Sequence, residues 1–280
     1  AAHEHLSRIV GHILREGWVL RDKDGKPTRW ARWDPEYLQR PYGFLARGLN
    51  GMEAFNYVVS AHALTGDPKF VAAKQQLLDW KYHHQSLRQK LVFPHVTHFA
   101  DRLAFYPYYP LLRYETDPYL RSIFRRSLER SWEVKRIENE PWFNYIYAAL
   151  TGNECDNENS VAHLREWPLD CVAYAYTNSH RHDLQNPGPH RNYVADYNPR
   201  RPREQGPKRW DSNVLQLDGG GGGVHEPSGW LDAYWMARYY GLITAPTSDD
   251  PAHLIPGDTL EGRRGAAPYD GPPRPDVFEF

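Results

Sequence analysis

Apolar residues return at helical spacing through most of this chain, and strand alternation hardly appears. The opening "AAHEHLSRIVGHILREGW" places Leu6, Ile9, Val10, Ile13 and Leu14 on one face of an amphipathic helix. An irregular stretch, 17 to 46, follows, punctuated by Gly25, Pro27, Pro35 and Pro41. A helix is then predicted from about Leu49 in "RGLNGMEAFNYVVSAHALTG", with Gly66 as its C-cap. The next helix starts at once in "DPKFVAAKQQLLDWKYHHQSL", with Asp67 as N-cap and Pro68 at the first helical position. The same start occurs at "TDPYLRSIFRRSLERSWEVKR", after a helix around "RLAFYPYYPLLRYE". "PWFNYIYAALTG" and "ENSVAHLREWPLDCVAYAYTNS" make a third, looser pair, and "SGWLDAYWMARYYGLI" is the last helix.

Helix hairpins in series, with long loops that collect polar and aromatic residues, predict an all-α domain over 1–243, arranged as a complete or partial α/α toroid. An α-solenoid is the alternative, but no repeat of fixed length and motif is present. From 244 to 280 the chain is rich in Pro, Gly and Asp and is expected to drape over the surface.

Composition removes several functions. With 280 residues, 40% hydrophobic content and a formal net charge of −1, neither disorder nor a nucleic-acid-binding field is indicated. No apolar run approaches a membrane span, and the first residues lack a charged-then-apolar leader, so the sequence is expected to begin within a fold. Cys155 and Cys171 cannot form a framework, and their pairing is open. No G-x-S-x-G occurs, and neither cysteine has a nucleophile's context.

Aromatic content changes the picture more. Ten Trp, 19 Tyr and ten Phe make up 14% of the chain, many beside polar residues, as in "PTRWARWDPEY" and "AFYPYYPLLRYE". Aromatic faces pack on the C–H face of a sugar ring, although rings also dominate ordinary cores. Arg29, between Thr28 and Trp30, offers a fork for an acidic group, with Trp33 nearby; a surface cation–π ladder is the other reading. Asn50 and Glu53 form a polar pair one turn apart in an apolar helix, or else a capping box.

"DGGGGGVHEPSGW" places five glycines between Asp218 and the His225–Glu226 pair. Such a run costs chain entropy and adds nothing to a core. It lacks both the Lys-Ser/Thr ending and the G-x-G-x-x-G context of a phosphate cradle. It reads either as a connector or as a pinched loop that lets a ligand reach Glu226. "HVTHFAD" spaces His95, His98 and Asp101 at three-residue intervals, which suits a metal or, equally, a helix start; without a further ligand the expectation is no metal and no cofactor. "NSHRHD" concentrates Asn178, His180, Arg181 and Asp183 at a predicted helix end, a sugar- or carboxylate-binding corner or a dipole-stabilised cap.

Several of these stretches, "WVLRDKDGKPTRWARWDPEYL", "RGLNGMEAFNYVVSAHALTGDPKF", "LAFYPYYPLLRYETDPYLRSIFRRSLERSWEVKR", "WPLDCVAYAYTNSHRHD" and "LDGGGGGVHEPSGWLDAYWMARYYGLI", together resemble an uncharacterised bacterial family of all-helical toroids of the carbohydrate-active type. The resemblance reaches to about residue 243. It implies a glycan substrate, a periplasmic or secreted setting, and an upstream segment rich in Asp, Ser and Glu that is not in this sequence. Where that family carries Asn-His-Ser-Asp-Asp-Glu-Leu-Ala, this chain reads "THFADRLA": His98 and Asp101 match, while Ala100 and Arg102 replace two acids.

Two chemistries compete. Glycoside hydrolysis requires two carboxyl groups, for which Asp101, Glu226 and Glu53 are candidates, with His98 beside them. Uronate β-elimination requires a group to neutralise the carboxylate, such as Arg181, Asn144 or His98, and a base such as Tyr145 or His180. Hydrolysis is the leading expectation, with Arg29, Trp30, Trp33, Asn50, Asn144, Tyr145, His180 and Arg181 as substrate-binding candidates. A glycan-binding or structural module without catalysis is the rival from another class, and the two replaced acids favour it.

Overall fold

Among residues 2–40, 43, 46–89, 98–136, 140–166 and 227–244, which the computed structural model describes, helices dominate. They run α1 (Ala2–Arg15), α2 (Pro35–Gln39), α3 (Arg47–Thr65), α4 (Lys69–Asp79), α5 (Tyr82–Gln85), α6 (His98–Tyr114), α7 (Pro118–Lys135), α8 (Pro141–Thr151), α9 (Asn157–Glu166) and α10 (Ser228–Tyr239). A two-stranded ribbon, β1 (Val19–Arg21) and β2 (Pro27–Arg32), precedes α2. The fold is all-α with that one small addition. The 244–280 tail lies outside the described residues from 245 onward.

Sequence punctuation sets the helix ends. Gly66 takes φ +67° and closes α3 by donating its N–H to the His62 carbonyl at 2.8 Å. Asp117 opens α7 ahead of Pro118, its carboxylate accepting from the Tyr119 and Leu120 amides at 2.8 and 3.3 Å. Asp67 likewise accepts from the Lys69 amide at 3.0 Å. Pro107 and Pro110 both fall inside α6, so the carbonyls of Leu103 and Tyr106 lose their helical donors. On α1, Val10 and Ile13 are buried and Leu6 and Leu14 half-buried, but Ile9, expected on the same face, is 59% exposed.

Of the stretch 17–46, residues 17–40 are more ordered than Pro27 and Pro35 imply. Val19 pairs with Arg32 and Arg21 with Pro27, with a register irregularity between the two pairs. Asp22 closes the turn, accepting from the Asp24 and Lys26 amides, each at 2.9 Å, while Gly25 takes φ +76°. Trp18 anchors the ribbon to α4: its ring is buried and its indole N–H donates to Gln76 at 2.8 Å.

Three pairs of sequential helices in contact organise the rest: α3 with α4, α6 with α7, and α8 with α9. The first members of these pairs touch in turn, α3 against α6 and α6 against α8, while α1 packs on α3 and α10 on α8. Burial follows the same division. All of α8 from Pro141 to Thr151 is buried, its mostly apolar composition interrupted by Asn144 and Thr151, whereas α4 buries only Phe70, Ala73 and Leu77. Phe55 of α3 and Phe124 of α7 meet edge-on at 5.6 Å, both fully buried, and truncating either to alanine is expected to cost ~3–5 kcal/mol.

Gly48 and Gly51 explain an otherwise odd feature of "GLNGMEAF". A β-carbon at Gly48 would lie 2.6 Å from the Gln89 backbone nitrogen, and one at Gly51 would lie 2.6 Å from the Gln85 β-carbon. The two glycines therefore let α3 press directly on the segment of α5 and the turn behind it.

Candidate functional site

The half-buried positions of α3, which is mostly buried up to Ala61, include Leu49, Glu53, Asn56, Tyr57 and Ser60. Their spacing puts them on one side of the helix, so a polar stripe runs along the element that binds the core together. Ser60 donates to the Asn56 side chain at 2.9 Å. Glu53 is the acid of the stripe.

β2 brings a tryptophan to that acid. The Trp33 amide donates to the Trp18 carbonyl at 2.8 Å, and the Trp33 carbonyl accepts from the Tyr82 hydroxyl at 2.6 Å. With its main chain held on both sides, Trp33 buries its ring, sets it edge-on to Tyr57 at 5.1 Å, and donates its indole N–H to Glu53 Oε2 at 3.0 Å. Burial pushes the Glu53 carboxyl up to about 7, and the Trp33 hydrogen bond opposes only part of that rise. Burial, then the Glu53 charge, raise the Tyr57 phenol. A carboxyl that keeps its proton to neutral pH can donate it to a leaving group.

Asn50 stands one turn before Glu53, and its side-chain amide donates to the Arg32 carbonyl at 2.8 Å, which ties α3 to β2. Because α3 begins at Arg47 and Glu53 pairs with Trp33, the two residues do not form a capping box. Arg29 on β2 is exposed. Trp30 also lies on β2, and His98 opens α6.

Asp101 has another environment. It is 1% exposed and forms a 2.8 Å salt bridge with the equally buried Lys135 of α7. Next to it in sequence, Arg102 reaches Glu140 at 2.5 Å, both side chains fully buried, and its guanidinium lies 4.4 Å from the Trp142 ring centre. Two acids and two bases thus enter the core together between α6, α7 and the start of α8. Asn144 is fully buried, accepting from the Trp132 indole and donating to Ser160, both at 2.9 Å. Tyr145 is buried beside it, and burial is the main cause of its raised phenol.

Trp33, Asn50 and Glu53 therefore come together, while Asn144 and Tyr145 are core residues of α8. His95, His180, Arg181, Asp218, His225, Glu226 and the glycine run lie outside the described residues. Tyr57, Asn56 and Ser60 escaped the sequence reading. Their signal was present, a polar period of three and four in a helix otherwise read as core. Among the described residues no three or more His, Cys, Asp or Glu side chains group to hold a metal ion, and no helix is long and apolar enough to cross a membrane.

No family model matches the chain, and no curated protein or solved structure matches it.

Proposed function

We propose that this chain is a carbohydrate-active enzyme, a glycoside hydrolase built as an α/α toroid, with Glu53 giving its proton to the departing glycosidic oxygen. The observation that carries the reading is the Glu53 carboxyl, raised by burial and held by the neutral indole donor of Trp33 on the polar stripe of α3. In the reaction the bond from the anomeric carbon to the leaving oxygen breaks, the proton passes from Glu53 to that oxygen, and water supplies the new hydroxyl. A second carboxylate has to activate the water or attack the anomeric carbon, and Glu226 after the glycine run is the candidate for it. The serial contacts of α3, α6 and α8 support the toroid, since the first helix of each hairpin would form its inner wall.

One observation favours a second reading, a glycan-binding module without catalysis. Asp101, the acid that remains in "THFADRLA", is engaged with Lys135 in the core.

A panel of neutral and uronate-containing oligosaccharides separates these readings. Hydrolysis yields new reducing ends with no ultraviolet-absorbing product, and Glu53→Gln should slow it by roughly a hundredfold or more while binding persists. Unsaturated, absorbing products would mean elimination instead, and binding without turnover would leave the module.

A further inference from the structure

We propose that the aromatic groove between α6, α8 and α10 is a binding site for an organic cation of the methylated-ammonium type. The groove spans about 350 Å³ and is walled by Tyr106, Trp142, Trp235, Tyr239 and Tyr240, with Asp232 as the charged residue among the described ones of its lining. Of the large apolar side chains that stand exposed, Tyr106 (42%), Trp235 (50%) and Tyr239 (38%) all belong to it. Three half-open rings gathered on one concavity mark a place that something else covers.

The chemistry of the walls selects among ligands. Ring faces carry the negative part of the aromatic quadrupole, and a ring of such faces with one carboxylate attracts a diffuse positive charge. Among the described residues of the lining there is no Lys, Arg or His. Cations do adjoin the walls. Arg102, paired with Glu140, sits over Trp142, and Arg238 lies 5.9 Å from the Tyr234 ring and donates to its hydroxyl at 3.2 Å. The Arg113 charge acts on Tyr109 and Tyr240. The Tyr109 and Tyr240 hydroxyls are hydrogen-bonded to each other. A trimethylammonium group needs no hydrogen bonds, only ring faces and a counter-charge.

The test uses the full chain and two probes of one shape, choline and its neutral carbon isostere 3,3-dimethylbutan-1-ol, titrated at constant ionic strength with tryptophan fluorescence and calorimetry as readouts. Choline is expected to bind and the alcohol not. Trp235→Leu and Asp232→Asn should each weaken choline roughly 2- to 30-fold, the worth of one cation–ring contact or a close counter-charge, at an unchanged melting temperature. Equal binding of the alcohol, no binding of choline, or variants that bind choline as the parent does would each overturn the proposal. So would a neutral disaccharide whose binding is lost in Trp235→Leu while choline has no effect. The wild-type comparison of the two probes does not depend on any variant folding, and no arm involves Glu53, so the outcome is separate from that of the hydrolase reading.

Discussion

Glu53 and Asp101 stand on helices packed against each other, yet the protein treats their carboxyl groups in opposite ways. Glu53 is half-buried and meets a neutral donor, the Trp33 indole, so burial raises it to about 7. Asp101 is closed off from solvent and meets a full positive charge, Lys135, at 2.8 Å. The difference lies in the partner: Asp101 is paired with a charge inside the core. At Glu53 the partner is neutral, so burial dominates and the carboxyl is raised.

The largest expected effect breaks the Asp101 side of this contrast. Lys135→Met removes one member of a buried pair and should cost ~3–5 kcal/mol in urea unfolding, because Asp101 is left without its counter-charge. Asp101→Asn combined with Lys135→Met should recover much of the loss. A single variant within ~0.5 kcal/mol of the parent, the range of ordinary surface changes, would mean that the pair is not what holds these helices together.

Glu53→Gln tests the other side through pH. The native carboxyl titrates near 7 and the unfolded one near 4.5, so between these values the native state holds a proton that the unfolded chain has released. Stability therefore falls as pH rises through that window and levels off above it. Glutamine has no such slope: the variant should match the parent near pH 4 and exceed it by on the order of 2 kcal/mol near pH 8, a figure reduced for residual solvent access. Parallel stability curves for the two proteins would contradict the raised titration.

The smallest effects sharpen the account of Glu53. Trp33→Phe keeps a ring but loses the indole donor; since that hydrogen bond lowers the carboxyl, its titration should move above about 7, at a cost of ~1 kcal/mol. Tyr57→Phe removes a neighbouring phenol and should change stability by ~0.5 kcal/mol or less. Carboxyl carbon shifts followed by NMR across the pH range report both, and a downward move in Trp33→Phe would reverse the assigned role of the indole.

Local chemistry made much of the fold legible. Gly66 and the Asp117–Pro118 pair act within a few residues of themselves, so their caps could be read directly; α4 instead starts at Lys69 with Pro68 as its N-cap, one residue later than Asp67 and Pro68 suggested. The ribbon was missed because β1 is only three residues long and its pairing is irregular, although "DKDG" with Asp22 and Gly25 is a turn signal. At the site, Asn50 and Glu53 stood out as polar residues in an apolar helix, but the bond that defines Glu53 comes from Trp33, 20 residues away. The partner of Asp101 is more distant still, on α7, and nothing in "THFADRLA" announces Lys135. Rings that line the groove on α6, α8 and α10 were visible as aromatic runs, but which of them meet depends on how three helices pack.

The close approach at Gly48 and Gly51 bears on the angle at which α3 presents its side chains. Each residue advances about 100° around an α-helix, so Gly51 and Glu53 differ by roughly 200° and point to nearly opposite sides. A helix seated on its backbone along one side, with no side chains to act as rollers, cannot turn about its axis without driving that backbone into Gln85 and Gln89. The glycine side is thus the mechanical reference for the acid side. Glu53 faces Trp33 before any ligand arrives, and the orientation is maintained by atoms that no ligand on the acid side would touch.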